Sequence, residues 1–139
     1  MADFVVVPAN VLASAAAQTT TGTAGAGVTI TAGQSLAQQA DGTMALYKAN
    51  GAAPLNVLKG IALNGASPGQ PVVYNRIDPS FQPGFALAAI GDAVLGSGAN
   101  AGGVCPDTDK ATGWFVTEIG RAVSLTAIKL NIVAVGVAR

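Results

Sequence analysis

Turn-forming residues interrupt this chain roughly every 8–12 residues from Val28 onward, and that spacing limits its fold more than any other feature. Ala32-Gly33, Asp41-Gly42, Asn50-Gly51 and Ala66-Ser67-Pro68-Gly69 are the clearest breaks. Too few residues lie between them for ordinary helices, and the runs that remain are β-branched or alternate in polarity. Strands are therefore expected at Val28–Thr31, Ser35–Gln39, Met44–Lys48, Val57–Leu63, Pro71–Tyr74, Phe85–Ala88, Ala93–Leu95, Gly113–Ile119, Arg121–Leu125 and Ile128–Val137. Ser35–Gln39 and Met44–Lys48 should pair across Asp41-Gly42, since both of those residues tolerate a positive φ. In the Ala66–Gly69 break, Pro presets φ and Gly accepts a left-handed conformation. Helix is scarce, and only Val11–Gln18 favours it. The fold class that follows is all-β: a small β-barrel or compact β-sandwich with little helix.

Residues 1–27 differ in texture and read as an extended N-terminal arm, leaving 28–139 as the β-rich domain. Phe4-Val5-Val6-Val7 is a β-branched run stopped by Pro8 and fits a short strand or edge segment. Gln18–Gly27 is small, polar and Gly-rich, with too little apolar surface to offset its ordering entropy, so it is expected to be a flexible tether or to become ordered only against a partner. A strand on such a tether is suited to adding to a partner's sheet edge, and the alternative is that it completes its own barrel. Ala13-Ser14-Ala15 has the small residues of a signal-peptidase site. The basic leader is missing, however, because Asp3 is the only charge before Asp41, and Pro8 and Asn10 break the apolar stretch. A secretory signal is not expected.

An internal two-fold repeat is legible in the spacing of four Gly-led fragments. Gly33-Gln34-Ser35-Leu36 is echoed at Gly60-Ile61-Ala62-Leu63, and Gly91-Asp92-Ala93-Val94 at Gly120-Arg121-Ala122-Val123. If the repeat is real, Gly60 and Gly120 should occupy related backbone settings.

Composition removes several functions. Charged residues are 10% of the chain, seven acidic and seven basic, for a net charge of zero. A nucleic-acid footprint needs clustered Lys and Arg, and none is present. The chain has no His, which excludes Ser-His-Asp and Cys-His nucleophilic sites and His-bearing metal sites. One Cys, Cys105, forms neither an internal disulfide nor a thiolate cluster. No apolar run is long enough to span a membrane as a helix.

The apparent motifs reduce to turns and packing. Gly96-Ser97-Gly98-Ala99-Asn100-Ala101 matches the dinucleotide-binding spacing, but Gly102, Gly103 and Pro106 forbid the helix that would bind pyrophosphate, so a hairpin loop is expected. Asp107-Thr108-Asp109 lacks the further oxygen ligands of a calcium loop and sits beside Lys110, which reads as a solvated turn. Glu118, the sole Glu, is expected to pair with Arg121, and Cys105 to be an inert buried thiol. Trp114, Phe115, Phe81, Phe85 and Tyr74 are expected to anchor the core or a subunit contact, the sharper alternative being a carbohydrate platform at Trp114. No catalytic residue, cofactor or metal ligand emerges, and an enzyme is not expected.

In order and spacing, a set of fragments resembles a known family. They are Thr31-Ala32-Gly33-Gln34, Asp41-Gly42, GIALNGASPGQPVV (Gly60 to Val73), IGDAVLGSGANAGGVCPDTD (Ile90 to Asp109) and IGRAVSLTAIKLNIV (Ile119 to Val133). The chain from Ala32 onward is similar to the small capsid decoration, or cement, proteins of tailed bacteriophages; Met1–Gly27 and Asn75–Gly84 fit the pattern less closely. The resemblance implies a β-rich homotrimer on the outer capsid surface of the virion, made in the host cytoplasm. It would bridge neighbouring major capsid protein subunits and stabilise the head, with no catalytic residues. Phe4, Val5, Val6 and Val7 are the residues expected to contact the capsid or a neighbouring protomer. The competing readings are a receptor- or glycan-binding module of a viral fibre or adhesin, which needs exposed aromatics, and a small carboxylate hydrolase, which needs a cleft joining Glu118 to a second acid.

Overall fold

The computed structural model describes residues 3–137; Met1 and Ala2 of the arm, and Ala138 and Arg139 of the β-rich domain, lie outside the described residues. The chain is all-β. Ten strands are described: β1 (Val11–Leu12), β2 (Gln18–Thr23), β3 (Ser35–Gln38), β4 (Met44–Leu46), β5 (Leu58–Ala62), β6 (Pro71–Pro83), β7 (Ala93–Gly96), β8 (Val104–Pro106), β9 (Phe115–Ala122) and β10 (Ile128–Val137). Eight of them form one curled sheet in the order β4-β3-β5-β6-β10-β9-β7-β8, with β1 and β2 added to β6. Every pairing between these strands is antiparallel. The curl brings the two ends of the run together. Gly102 N donates to Tyr47 O (2.7 Å), Ala49 N to Ser97 O (3.0 Å) and Phe115 N to Ala49 O (2.7 Å), which gives a barrel-like form and covers edges that would otherwise pair with other chains.

Scarce aromatics and abundant Gly explain how so small-residued a chain fills this core. Tyr47, Phe81, Leu95, Ile119, Ile128 and Leu130 are fully buried in the main cluster, and Leu36, Met44, Val72 and Tyr74 form a second one. A Cβ on Gly96 would overlap the Tyr47 ring, and one on Gly98 would overlap the Trp114 indole. The bare backbone lets each ring lie flat against a strand or loop. Burying one such ring or a Leu/Ile side chain contributes about 1.5–3 kcal/mol.

The internal repeat is structural. Gly33 and Gly91 each have φ near +90° and each donate an N–H, to Ala62 O and Ala122 O respectively, at 2.8 Å. The residue after each folds its side chain back, Gln34 Oε1 accepting from Thr31 N (2.8 Å) and Asp92 Oδ2 from Ala89 N (3.0 Å). Leu36 then lies opposite Gly60, and Val94 opposite Gly120, and both ladders slip at the next position. The hairpins correspond as well, Ala37↔Ala45 matching Leu95↔Cys105. Asn75 faces Ile61 as Lys129 faces Arg121, which makes Ile77 the counterpart of Asn131. Those two residues face each other across β6 and β10, so an approximate two-fold axis passes between them.

Several sequence expectations are corrected. Gln18–Thr23 is no tether: it is β2, laddered to β6 from Gln18↔Ile77 to Thr23↔Pro71, and its Thr residues use the adjacent strand to recover the entropy cost of ordering. Val11–Gln18 forms no helix, because Val11 and Leu12 pair with Pro83 and Gln82. Val28–Thr31 is reduced to one bridge, Ile30 to Ala66, and Phe85–Ala88 is not a strand. Gly113–Ile119 and Arg121–Leu125 merge into β9, with Gly120 inside the strand at its bulge. The short β8 carried no readable alternation. The Asp41-Gly42 hairpin forms, but only Gly42 has a positive φ; Asp41 caps the turn through Thr43 N (3.0 Å) and Thr43 Oγ1 (2.6 Å).

Candidate interaction surface

The expected strand at Phe4–Val7 does not form: the run pairs with no strand in a ladder and instead lies along its own body. Phe4 N donates to Val104 O (2.8 Å) on β8, and Val7 N donates to Gly84 O (2.9 Å) just past β6. Alternation divides the four candidate residues into two faces. Phe4 and Val6 pack against the main core, the Phe4 ring stacking on Phe85 with centroids 4.1 Å apart and planes 8° from parallel. Val5 and Val7 point outward, and Val5 is 84% exposed.

The groove beneath this run is cut in glycine. A Cβ on Gly33 would overlap a Val6 methyl, and one on Gly84 would sit 2.8 Å from Val7 O and 3.0 Å from Val11 Cγ2. A Cβ on Gly103 would overlap the Asp3 carboxylate, which accepts from Ser97 Oγ (2.8 Å) and Asn100 Nδ2 (3.1 Å). A second carboxylate fastens the other end of the segment. Asp78, fully buried on β6, accepts from Ser14 N (2.8 Å), Ser14 Oγ, Ser80 N (3.0 Å) and Asn75 Nδ2 (2.9 Å). Burial pushes the Asp78 carboxyl up, but the hydrogen bonds, led by the Ser14 hydroxyl, outweigh burial and hold it below its ordinary value. Sequence reasoning missed Asp3, Ser14, Asp78, Ser97 and Asn100. The one available signal was Asp3, an isolated charge in an otherwise uncharged stretch of forty residues.

Around this strap the surface is aliphatic. Val5, Val7 and Leu12 line one cleft of about 590 Å³ together with Phe85 and Thr126. Exposed Val123 and Leu125 lie in the adjoining β9–β10 turn, where Leu87 N bonds Leu125 O (2.8 Å). Exposed Ile90 is tied in through its neighbour Gly91, which bonds Ala122 O. Val5, Val7 and Leu12 therefore form an exposed aliphatic group at the cleft, while other exposed aliphatic side chains, Ile77 on β6 and Val133 and Val135 on β10, lie on other strands. The aromatics are on the inside: Tyr47, Tyr74, Phe81 and Trp114 are buried, and Phe4, Phe85 and Phe115 half-buried.

The remaining candidates have local roles. Glu118 takes both forks of Arg121, at 2.8 and 3.2 Å. Asp107 pairs with Lys110 at 3.1 Å on a short 3-10 turn, and no metal-ligand cluster occurs among the described residues. Cys105 is buried on β8, where burial, reinforced by the charges of Asp3, Asp109 and Asp107, pushes its thiol up to about 12 and leaves no thiolate at neutral pH. Trp114 lies under Gly98 and offers no platform to solvent. Ser97–Gly103 is the β7–β8 hairpin loop, closed by Ser97 N to Gly103 O (3.0 Å). Comparison of the chain with protein-family models, curated proteins and solved structures finds no match.

Proposed function

We propose that this chain is a structural virion protein: a phage capsid decoration protein that binds the outer surface of the head as a homotrimer, bridges major capsid protein subunits and stabilises the shell. The observation that carries the reading is the exposed aliphatic side chains Val5, Val7 and Leu12 at the cleft beside the N-terminal strap, on a neutral molecule whose aromatics are buried or half-buried. Exposed aliphatic side chains gathered at a cleft on a small domain suit a protein-binding surface. Low charge leaves little self-repulsion to oppose association. Attachment of several protomers to a repeating lattice turns modest single contacts into firm binding.

The same observation weighs against a sugar-binding module, which recognises ligands through exposed rings. Asp3 and Asp78 hold the strap, Asp41 and Asp92 hold turns, and Glu118 is held by Arg121. The test is a mass measurement in solution followed by mixing with undecorated capsids. A trimeric mass and saturable uptake by empty shells, with raised resistance of the shells to heat, is the expected outcome. A single-copy particle indifferent to shells overturns the reading.

A further inference from the structure

We propose that the groove holding residues 3–12 is an exchange site: in the oligomer, the N-terminal strap of one copy fills the groove of a second copy. This rests on the oligomeric reading above and names the contact that would make it.

The groove is built for one occupant. Gly33, Gly84 and Gly103 are bare where Val6, Val7, Val11 and Asp3 press down. The Phe85 ring, the Val104 and Gly84 carbonyls, and the Ser97 and Asn100 donors each meet a specific group of the strap. A segment with Asp, then Phe, and Val two residues after the Phe satisfies all of them, and in an assembly of identical chains every copy carries that segment.

The strap is also detachable as a unit. It is joined to β2 through Ala13–Ala17, which lies outside the ladders and contains no buried residue. Ser14 is pinned by Asp78, so the chain beyond the pivot keeps its place while residues 3–12 swing. An exchanged strap would remake every contact of the closed form, leaving only the entropy of association to be offset. That offset is available at this same place, because two copies close enough to exchange straps would also press their exposed Val5, Val7 and Leu12 surfaces together, a contact the closed form does not make.

The experiment uses two single-cysteine variants, Phe4→Cys and Phe85→Cys, each in the full chain carrying Cys105→Ala so that no native thiol competes. The two are mixed, co-refolded, oxidised and resolved by mass without reductant. Exchange gives Phe4→Cys to Phe85→Cys heterodimers in preference to either homodimer by about tenfold, since the exchanged contact sets a high effective concentration. If a third variant carrying both Phe4→Cys and Phe85→Cys with Cys105→Ala closes within one chain while the mixed single variants stay uncrosslinked in an oligomer of unchanged mass, exchange is overturned and the oligomeric reading survives. As a second measurement, the chain lacking residues 1–12 should fall to single-copy mass, and retention of the full oligomer mass overturns the proposal. A full-length chain that is a single copy both free and on shells defeats the oligomeric reading itself.

Discussion

Asp78 is the residue on which the N-terminal segment turns. Its carboxylate is fully buried yet held in the charged form by four donors, two of them from Ser14. A carboxyl held below its unfolded value adds stability that is present above that value, here 3.8, and is lost as the pH falls through the lower native value. Asp78→Asn keeps the shape and removes the charge. It should cost about 1–3 kcal/mol at neutral pH, with the difference from wild type shrinking as the pH falls below 3.8. Denaturant midpoints measured across that range check this, and a constant difference at all pH values would mean that ionisation plays no part.

At the scale of the element, the duplicated bulge is the device that shapes both halves. Gly60 and Gly120 stand at the same point of equivalent ladders, where a neighbouring strand's backbone comes too close for a side chain. A Cβ on Gly60 would lie 2.7 Å from Asn75 O, and one on Gly120 would overlap Lys129 O. Backbone held in a ladder cannot step aside as a flexible side chain does. Gly60→Ala and Gly120→Ala should each therefore lower stability by about 1–3 kcal/mol. Gly65→Ala, which meets only Ile30 O at an ordinary 3.4 Å, should stay within about 0.5 kcal/mol. Urea unfolding of the three variants gives the comparison, and an unaffected Gly120→Ala would show that the bulge can relax. The β3–β4 hairpin was legible because Asp41-Gly42 is strong local turn chemistry. β2 was not, because a Thr/Gly run has no preference until β6 provides a ladder.

For the whole molecule, neutrality sets how attachment responds to salt. With net charge zero and the proposed contact made by Val and Leu side chains, binding gains little from Coulomb attraction and loses little to screening. Uptake by empty capsids should change by less than about twofold between low and high salt, because burial of apolar area is the driving term. Loss of attachment in moderate salt, followed by sedimentation of the decorated shells, would point instead to a charged contact.

By itself the sequence determined what is local or compositional: an all-β chain, its main hairpins, its doubled Gly-led fragments, and the lack of His-dependent chemistry. Turn residues act through their own φ and ψ, and an absent residue type is absent in any fold. Tertiary structure alone decided where the N-terminal run lies, that Gln18–Thr23 is a strand, and that Asp3 and Asp78 fasten the strap at its two ends. Those outcomes depend on donors and bare backbone brought in from distant parts of the chain, Ser97 to Asp3 and Ser14 to Asp78, and no local pattern encodes which distant group will arrive.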